Sequence, residues 1–175
     1  PASGTITQGP RTAAYCTVRT SHASGSAANG IDIAAFGGPV YTPRAGTVIA
    51  TYTGCVNNTG KVGDRCGGSP AYAGYGNHVI LKTDDGYTLI FAHLESAVGV
   101  QEGQHIAAGT QIGWMDQTGS STGTHLHFGV LAGGNILDFV PQGNPALSPE
   151  AINGCVNNTQ GCTKSCPATT VVAGG

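Results

Sequence analysis

Two histidines one residue apart, in the run Thr124-His125-Leu126-His127-Phe128-Gly129-Val130, are the residues whose type and spacing most directly suggest chemistry. Side chains on a strand alternate faces, so both imidazoles would project to one side while Leu126, Phe128 and Val130 face the other. Six histidines among 175 residues give about 0.2 such pairs by chance, so the pair needs company. His22, Asp32 and His93 supply it, with Ser120-Ser121-Thr122-Gly123 just upstream. Catalytic zinc usually takes three protein ligands from His and carboxylate and keeps one position for water. Two neutral imidazoles and one carboxylate leave a net positive centre, which lowers the pKa of that water toward about 7 and polarises a scissile carbonyl. Peptide hydrolysis is the natural use. Each residue also has a plainer reading: Asp32 could cap a turn through nearby backbone N–H groups, and His93 could be a satisfied histidine at a strand end. His78 and His105 read as solvent-facing and outside the site, and Trp114 as core.

The elements that must carry these residues read as antiparallel β. Glycine or proline interrupts nearly every helical window, and the candidate strands are 40–41, 47–53, 78–83, 87–93, 111–115 and 125–131. Asp84-Asp85-Gly86 predicts a hairpin turn. Charged residues make up 9% of the chain and there are 29 glycines, against roughly 25% and about 7% in ordinary domains, so tight turns and short strands are expected. At this length an apolar core can hold one domain together, leaving the six cysteines as reinforcement. Seven basic and nine acidic residues lie scattered, with no basic run to meet a phosphate backbone, so nucleic acid is not an expected partner. No stretch approaches the roughly 18 apolar residues of a membrane span, and the opening Pro1-Ala2-Ser3-Gly4 does not read as a signal peptide.

Two segments read as additions to the core. Residues 54–76 hold Cys55 and Cys66 among Gly, Asn, Ser and Pro, and a tail over 151–175 holds Cys155, Cys162 and Cys166. The hexapeptide Gly54-Cys55-Val56-Asn57-Asn58-Thr59 recurs at 154–159, too short for a structural repeat, and each copy contains an Asn-x-Thr sequon. Six cysteines allow 15 pairings; Cys55 with Cys66 is the best local one, with Cys16 tying to one of the three tail cysteines. A zinc knuckle is the competing reading, but no Cys-x2-Cys occurs. Disulfides point to an oxidising, secreted or cell-wall-associated location.

With these segments in view the chain resembles the lysostaphin-type zinc metallopeptidases, which cut peptide bridges in bacterial peptidoglycan. Asn29-Gly30-Ile31-Asp32-Ile33-Ala34-Ala35, Gly38-Pro39-Val40-Tyr41 and Ala45-Gly46-Thr47-Val48 look like the segment around the family's metal-binding aspartate. Gly76-Asn77-His78-Val79 and Phe91-Ala92-His93-Leu94 look like its central hairpin and histidine, and 100–103, 109–113 and 119–130 follow in family order. The resemblance implies an open antiparallel β-sheet groove of the duplicated-hybrid-motif kind, with disulfide-braced loops as walls. It also implies that Asp32 and His127 bind Zn2+ while His125 and His93 flank the attacking water. No His-Glu-x-x-His helix supplies a glutamate, so one imidazole must take the water proton and a second can stabilise the oxyanion. His125 is assigned as base and His93 as its partner.

The first metal histidine departs from the commoner family pattern, which places it four residues before the aspartate, where this chain has Ala28. His22, ten residues before Asp32, suits a long-spaced branch of the family, with 24–29 as the intervening loop. The expectation is a zinc metallopeptidase domain over 1–150, with its Cys-containing insertion, followed by the Cys-rich tail. Its expected function is that of a secreted zinc endopeptidase acting on cross-links or stem peptides of peptidoglycan. The competing readings are a cell-wall-binding or regulatory module with an incomplete metal site, and a disulfide-braced structural surface domain.

Overall fold

Strands rich in Val, Ile, Leu and Phe, with one face more apolar than the other, must stack that face on something, and among the described residues ten strands lie in two sheets. The structure is a computed structural model and describes residues 1–2, 4–8, 30–56, 60–96, 98–131 and 170–171. The strands are β1 (Gly4–Gln8), β2 (Gly30–Ala34), β3 (Pro39–Tyr41), β4 (Gly46–Tyr52), β5 (Asn77–Thr83), β6 (Thr88–Leu94), β7 (His105–Ile106), β8 (Gln111–Trp114), β9 (His125–Val130) and β10 (Thr170–Val171). Eight form one antiparallel sheet in the order β10-β1-β2-β9-β6-β5-β4-β7, and β3 pairs with β8 in a two-stranded ribbon. The expected mainly β, open antiparallel fold is what the chain adopts.

Alternation divides the large sheet cleanly. Ile31 and Ile33 of β2, Val79 and Leu81 of β5, Leu89 and Phe91 of β6, and Leu126, Phe128 and Val130 of β9 enter one core with Val40 and Ile112 from the ribbon. Phe91 and Phe128 meet there with ring centroids 5.3 Å apart. Ile80, Ile90 and Ala92 point to the opposite face, where they pack with Tyr75. The turn at 84–86 joins β5 to β6 as the sequence predicts, with Gly86 at φ +99. Cys55 and Cys66 are joined by a disulfide.

Several expectations need correcting. The sequence reading passed over β2, because Gly30 and Ala34 flank only two large apolar residues; its neighbours β1 and β9 make it an interior strand, and Asp32 therefore sits mid-strand rather than capping a turn. His78 is not solvent-facing but 1% exposed, because the rings of Tyr52, Tyr72 and Tyr75 surround it. Trp114 is not core but 46% exposed. A register shift between Val40 and Tyr41 accompanies two successive inward residues, Ile112 and Gly113, with Leu94 filling the space beside Gly113, so Trp114 turns outward opposite Pro39. His105 is exposed as expected and meets Asp84 at 3.0 Å. Thr170 and Val171 of the tail lie along β1 at the sheet edge. His22, Cys16, Cys155, Cys162, Cys166 and both sequons lie outside the described residues.

The 54–76 insertion is fastened at its base. The buried Asn77 side chain donates to the Cys55 carbonyl (3.1 Å) and accepts from its N–H (2.8 Å), while the Cys66 carbonyl receives the Gly74 and Gly76 N–H groups. Gly76 has φ +64, and a Cβ there would stand 2.3 Å from the Thr118 carbonyl oxygen. Gly76→Ala is therefore expected to destabilise by about 2–5 kcal/mol through backbone strain plus overpacking. Gly86→Ala meets no atom within 4 Å and is expected to cost only the left-handed backbone term, about 1–2 kcal/mol. Urea unfolding of both variants at unchanged m-value checks the difference.

Candidate active site

The face of the sheet opposite the core carries the chemistry. On β2 the residues between Ile31 and Ile33 must point away from the core, and this turns Asp32 to the outer face; the same alternation on β9 turns out His125 and His127. Asp32 lies directly opposite His127 in the β2–β9 register, so the two side chains share a face. Asp32 Oδ1 is 2.9 Å from His127 Nδ1 and Oδ2 is 3.6 Å from His125 Nε2. Asp32 is 6% and His127 2% exposed, so this carboxylate and imidazole meet out of solvent, where their attraction is strong.

His93 arrives by a different route. Strict alternation along β6 would send it to the core with Leu89 and Phe91. The register against β5 slips here, Val79 facing Phe91 but Asn77 facing Leu94, which places one extra residue on β6. That bulge includes His93, whose φ is +62, the one positive value for a non-glycine among the described residues. The kink returns Leu94 to the core and swings the His93 ring to within 4.6 Å of the His125 ring and 6.1 Å of the His127 ring, centroid to centroid. Three hydrogen bonds hold the strained residue: its N–H donates to the Tyr75 carbonyl (2.9 Å), its carbonyl accepts from Asp116 N–H (2.8 Å), and its Nδ1 donates to the Thr118 carbonyl (2.7 Å).

Carbonyls fix the ring states. His93 gives Nδ1–H to Thr118, and His125 gives Nδ1–H to the Gly123 carbonyl at 2.8 Å, with the Ser121 hydroxyl 3.2 Å away. The His93 ring is left with Nε2 as an acceptor, while His125 Nε2 faces Asp32 Oδ2. Burial first, and then the adjacent His125 and His127, push the pKa of His93 down to about 3 against the opposing pull of the Thr118 carbonyl and Asp32. His93 is thus a neutral base-form imidazole across the physiological range.

The sequence points to the 120–123 run beside this cluster but not to Tyr75 or Thr118, which also support it. Tyr75 stacks on His127 with centroids 5.6 Å apart and planes 21° from parallel, which makes the insertion a wall of the site. Ser120 Oγ accepts the Gly63 N–H across the same gap. Thr118 is polar and buried beside the positive-φ Gly119, and that juxtaposition in the sequence was the available signal.

Among the described residues no three His, Cys, Asp or Glu side chains are grouped as a ready metal site, and the third expected donor, His22, lies outside them. The donors that are in place fit zinc by type: a carboxylate oxygen beside imidazole nitrogens on the outer face of the sheet. The bulge, the paired strands and the backbone-held tautomers bring Asp32, His93, His125 and His127 together on one patch.

Comparison with known proteins gives this patch a family. Murein hydrolase activator NlpD of Escherichia coli (strain K12) is 35% identical over 128 residues, covering 71% of this chain and 29% of its own length. Peptidoglycan DD-endopeptidase ShyA of Vibrio cholerae is 31% identical over 121 residues, covering 69% of this chain and 24% of its own. The chain thus spans less than a third of the length of these curated relatives. A crystal structure of a zinc containing peptidase from Vibrio cholerae superposes with a TM-score of 0.50 at 26% identity, over 74% of this chain and 33% of that one. Residues 26–139 match the sequence profile of peptidase family M23, so the lysostaphin-type resemblance holds and the chain belongs to that family.

Proposed function

We propose that this chain is the catalytic region of a zinc endopeptidase that hydrolyses cross-link or stem peptides of bacterial peptidoglycan outside the cytoplasm. The observation that carries the reading is the meeting of Asp32, His127, His125 and His93 on one buried patch of an M23 sheet. Asp32 and His127 would hold the metal together with His22. When bound, zinc supplies a Lewis acid that polarises the scissile carbonyl and eases loss of a proton from the attacking water. His125 would take that proton at Nε2, the ring nitrogen not bound to the Gly123 carbonyl and the one that faces Asp32. His93 stands beside it as a second acceptor that aligns the water, and it can donate to the oxyanion only once a proton has been passed to it. The peptidase domain covers 1–150, with 54–76 as one wall, and 151–175 forms a Cys-rich tail. A secreted or cell-wall-associated location is supported by the Cys55–Cys66 disulfide.

A second reading has its own support: a relative 35% identical is named a hydrolase activator, and Ala28 stands where most relatives have a metal histidine. In that reading the chain binds or regulates without cutting.

Digestion of purified peptidoglycan with and without a chelator, followed by mass analysis, separates the two. New peptide ends that vanish with chelator are expected; intact wall in both arms supports the regulatory module. Within the enzyme reading, His127→Ala and His22→Ala are expected to lose zinc by metal analysis. His125→Ala should retain zinc and lose about 10²–10⁴-fold in turnover, and full activity in any of the three would refute its assignment.

A further inference from the structure

Thr118 is 2% exposed and makes contacts that none of the residues assigned above explains. Its carbonyl takes the His93 Nδ1 proton at 2.7 Å. Its hydroxyl donates to the carbonyl of Leu94, the residue after His93, at 2.8 Å, and accepts the Asn77 N–H at 3.0 Å. One residue therefore grips the His93 ring and, one peptide further along, the chain at Leu94. The carbonyl has little freedom to swing away: a Cβ on Gly76 would lie 2.3 Å from it, and one on Gly119 would lie 2.3 Å from the Gly76 nitrogen, so the two backbones are in direct contact. Through Asn77, which holds Cys55 by both N–H and carbonyl, the same network reaches the disulfide.

Resting on the endopeptidase reading, we propose that Thr118 is a positioning residue for His93. Its hydroxyl, together with the Gly76 contact, fixes its carbonyl where it holds the proton on His93 Nδ1 and so leaves Nε2 as the acceptor. The nitrogen that carries the proton in an imidazole is set by the bond the other nitrogen makes, and outer partners of this kind are typically worth about 10–100-fold in activity. Valine would fill the same volume yet neither donate nor accept, leaving the buried Leu94 carbonyl and Asn77 N–H without their partner. Serine would keep both bonds.

The test is long-range proton–nitrogen correlation on histidine-labelled, zinc-loaded protein, with the His93 signals assigned by their loss in His93→Gln, alongside peptidoglycan kinetics. Wild type and Thr118→Ser are expected to show His93 protonated at Nδ1. Folded Thr118→Val is expected to show a mixed or Nε2-protonated ring, with kcat down about 10–100-fold and KM within about two-fold. An Nε2-protonated His93 in wild type overturns the proposal, as does a folded valine variant with the wild-type tautomer and kcat. If Thr118→Val does not fold, the wild-type and serine spectra decide: Nδ1–H in both supports the role and Nε2–H in either removes it. Wild-type protein that cuts no peptidoglycan sinks the endopeptidase reading, while the spectra still judge Thr118.

Discussion

The register between β2 and β9 is the constraint on which the site depends. Asp32 faces His127 because Ile33 faces Leu126 and Ile31 faces Phe128, and those four apolar side chains are buried on the other side of the same two strands. A slip of one residue would turn one of the two strands over, driving either the carboxylate or the two imidazoles into the core and exposing that strand's apolar side chains, so burial of the core enforces the meeting of the polar groups. The hydrophobic face and the chemical face are one pattern read from opposite sides.

His93 shows what that pattern cannot do alone. A flat, regular β6 would hide its ring beneath the sheet. The bulge corrects this at the cost of a left-handed backbone in a residue with a Cβ, and two backbone hydrogen bonds and one from the ring hold the residue there. Such strain persists only where surroundings over-determine it, and here those surroundings are the loops at 74–77 and 116–119.

The strands of the central hairpin, the turn at 84–86, the two-faced β9 and the pairing of Cys55 with Cys66 were legible because period-two alternation, turn chemistry and local spacing all speak in short windows of sequence. Asp32 was legible as a site residue but not as an interior-strand residue, since five residues with two isoleucines carry little periodicity of their own and owe their strand to β1 and β9. The orientation of His93 was illegible, because a bulge is set by pairing with β5 and not by its own sequence. Tyr75 was hidden for a like reason: its partner, His127, lies more than fifty residues away in sequence. The burial of His78 and exposure of Trp114 likewise turn on tertiary neighbours, a tyrosine cluster in one case and a ribbon bulge in the other.

The abutment of Gly76 against Thr118 and Gly119 leaves no room for a side chain on either loop. Segments so tightly keyed cannot drift independently. A chimera that imported the 54–76 wall from a relative would have to bring the matching 116–120 turn with it, or the borrowed rim would tilt the floor beneath it. Variation of the 54–76 wall is mechanically geared to the histidine cluster, so a change in one would be felt in the other.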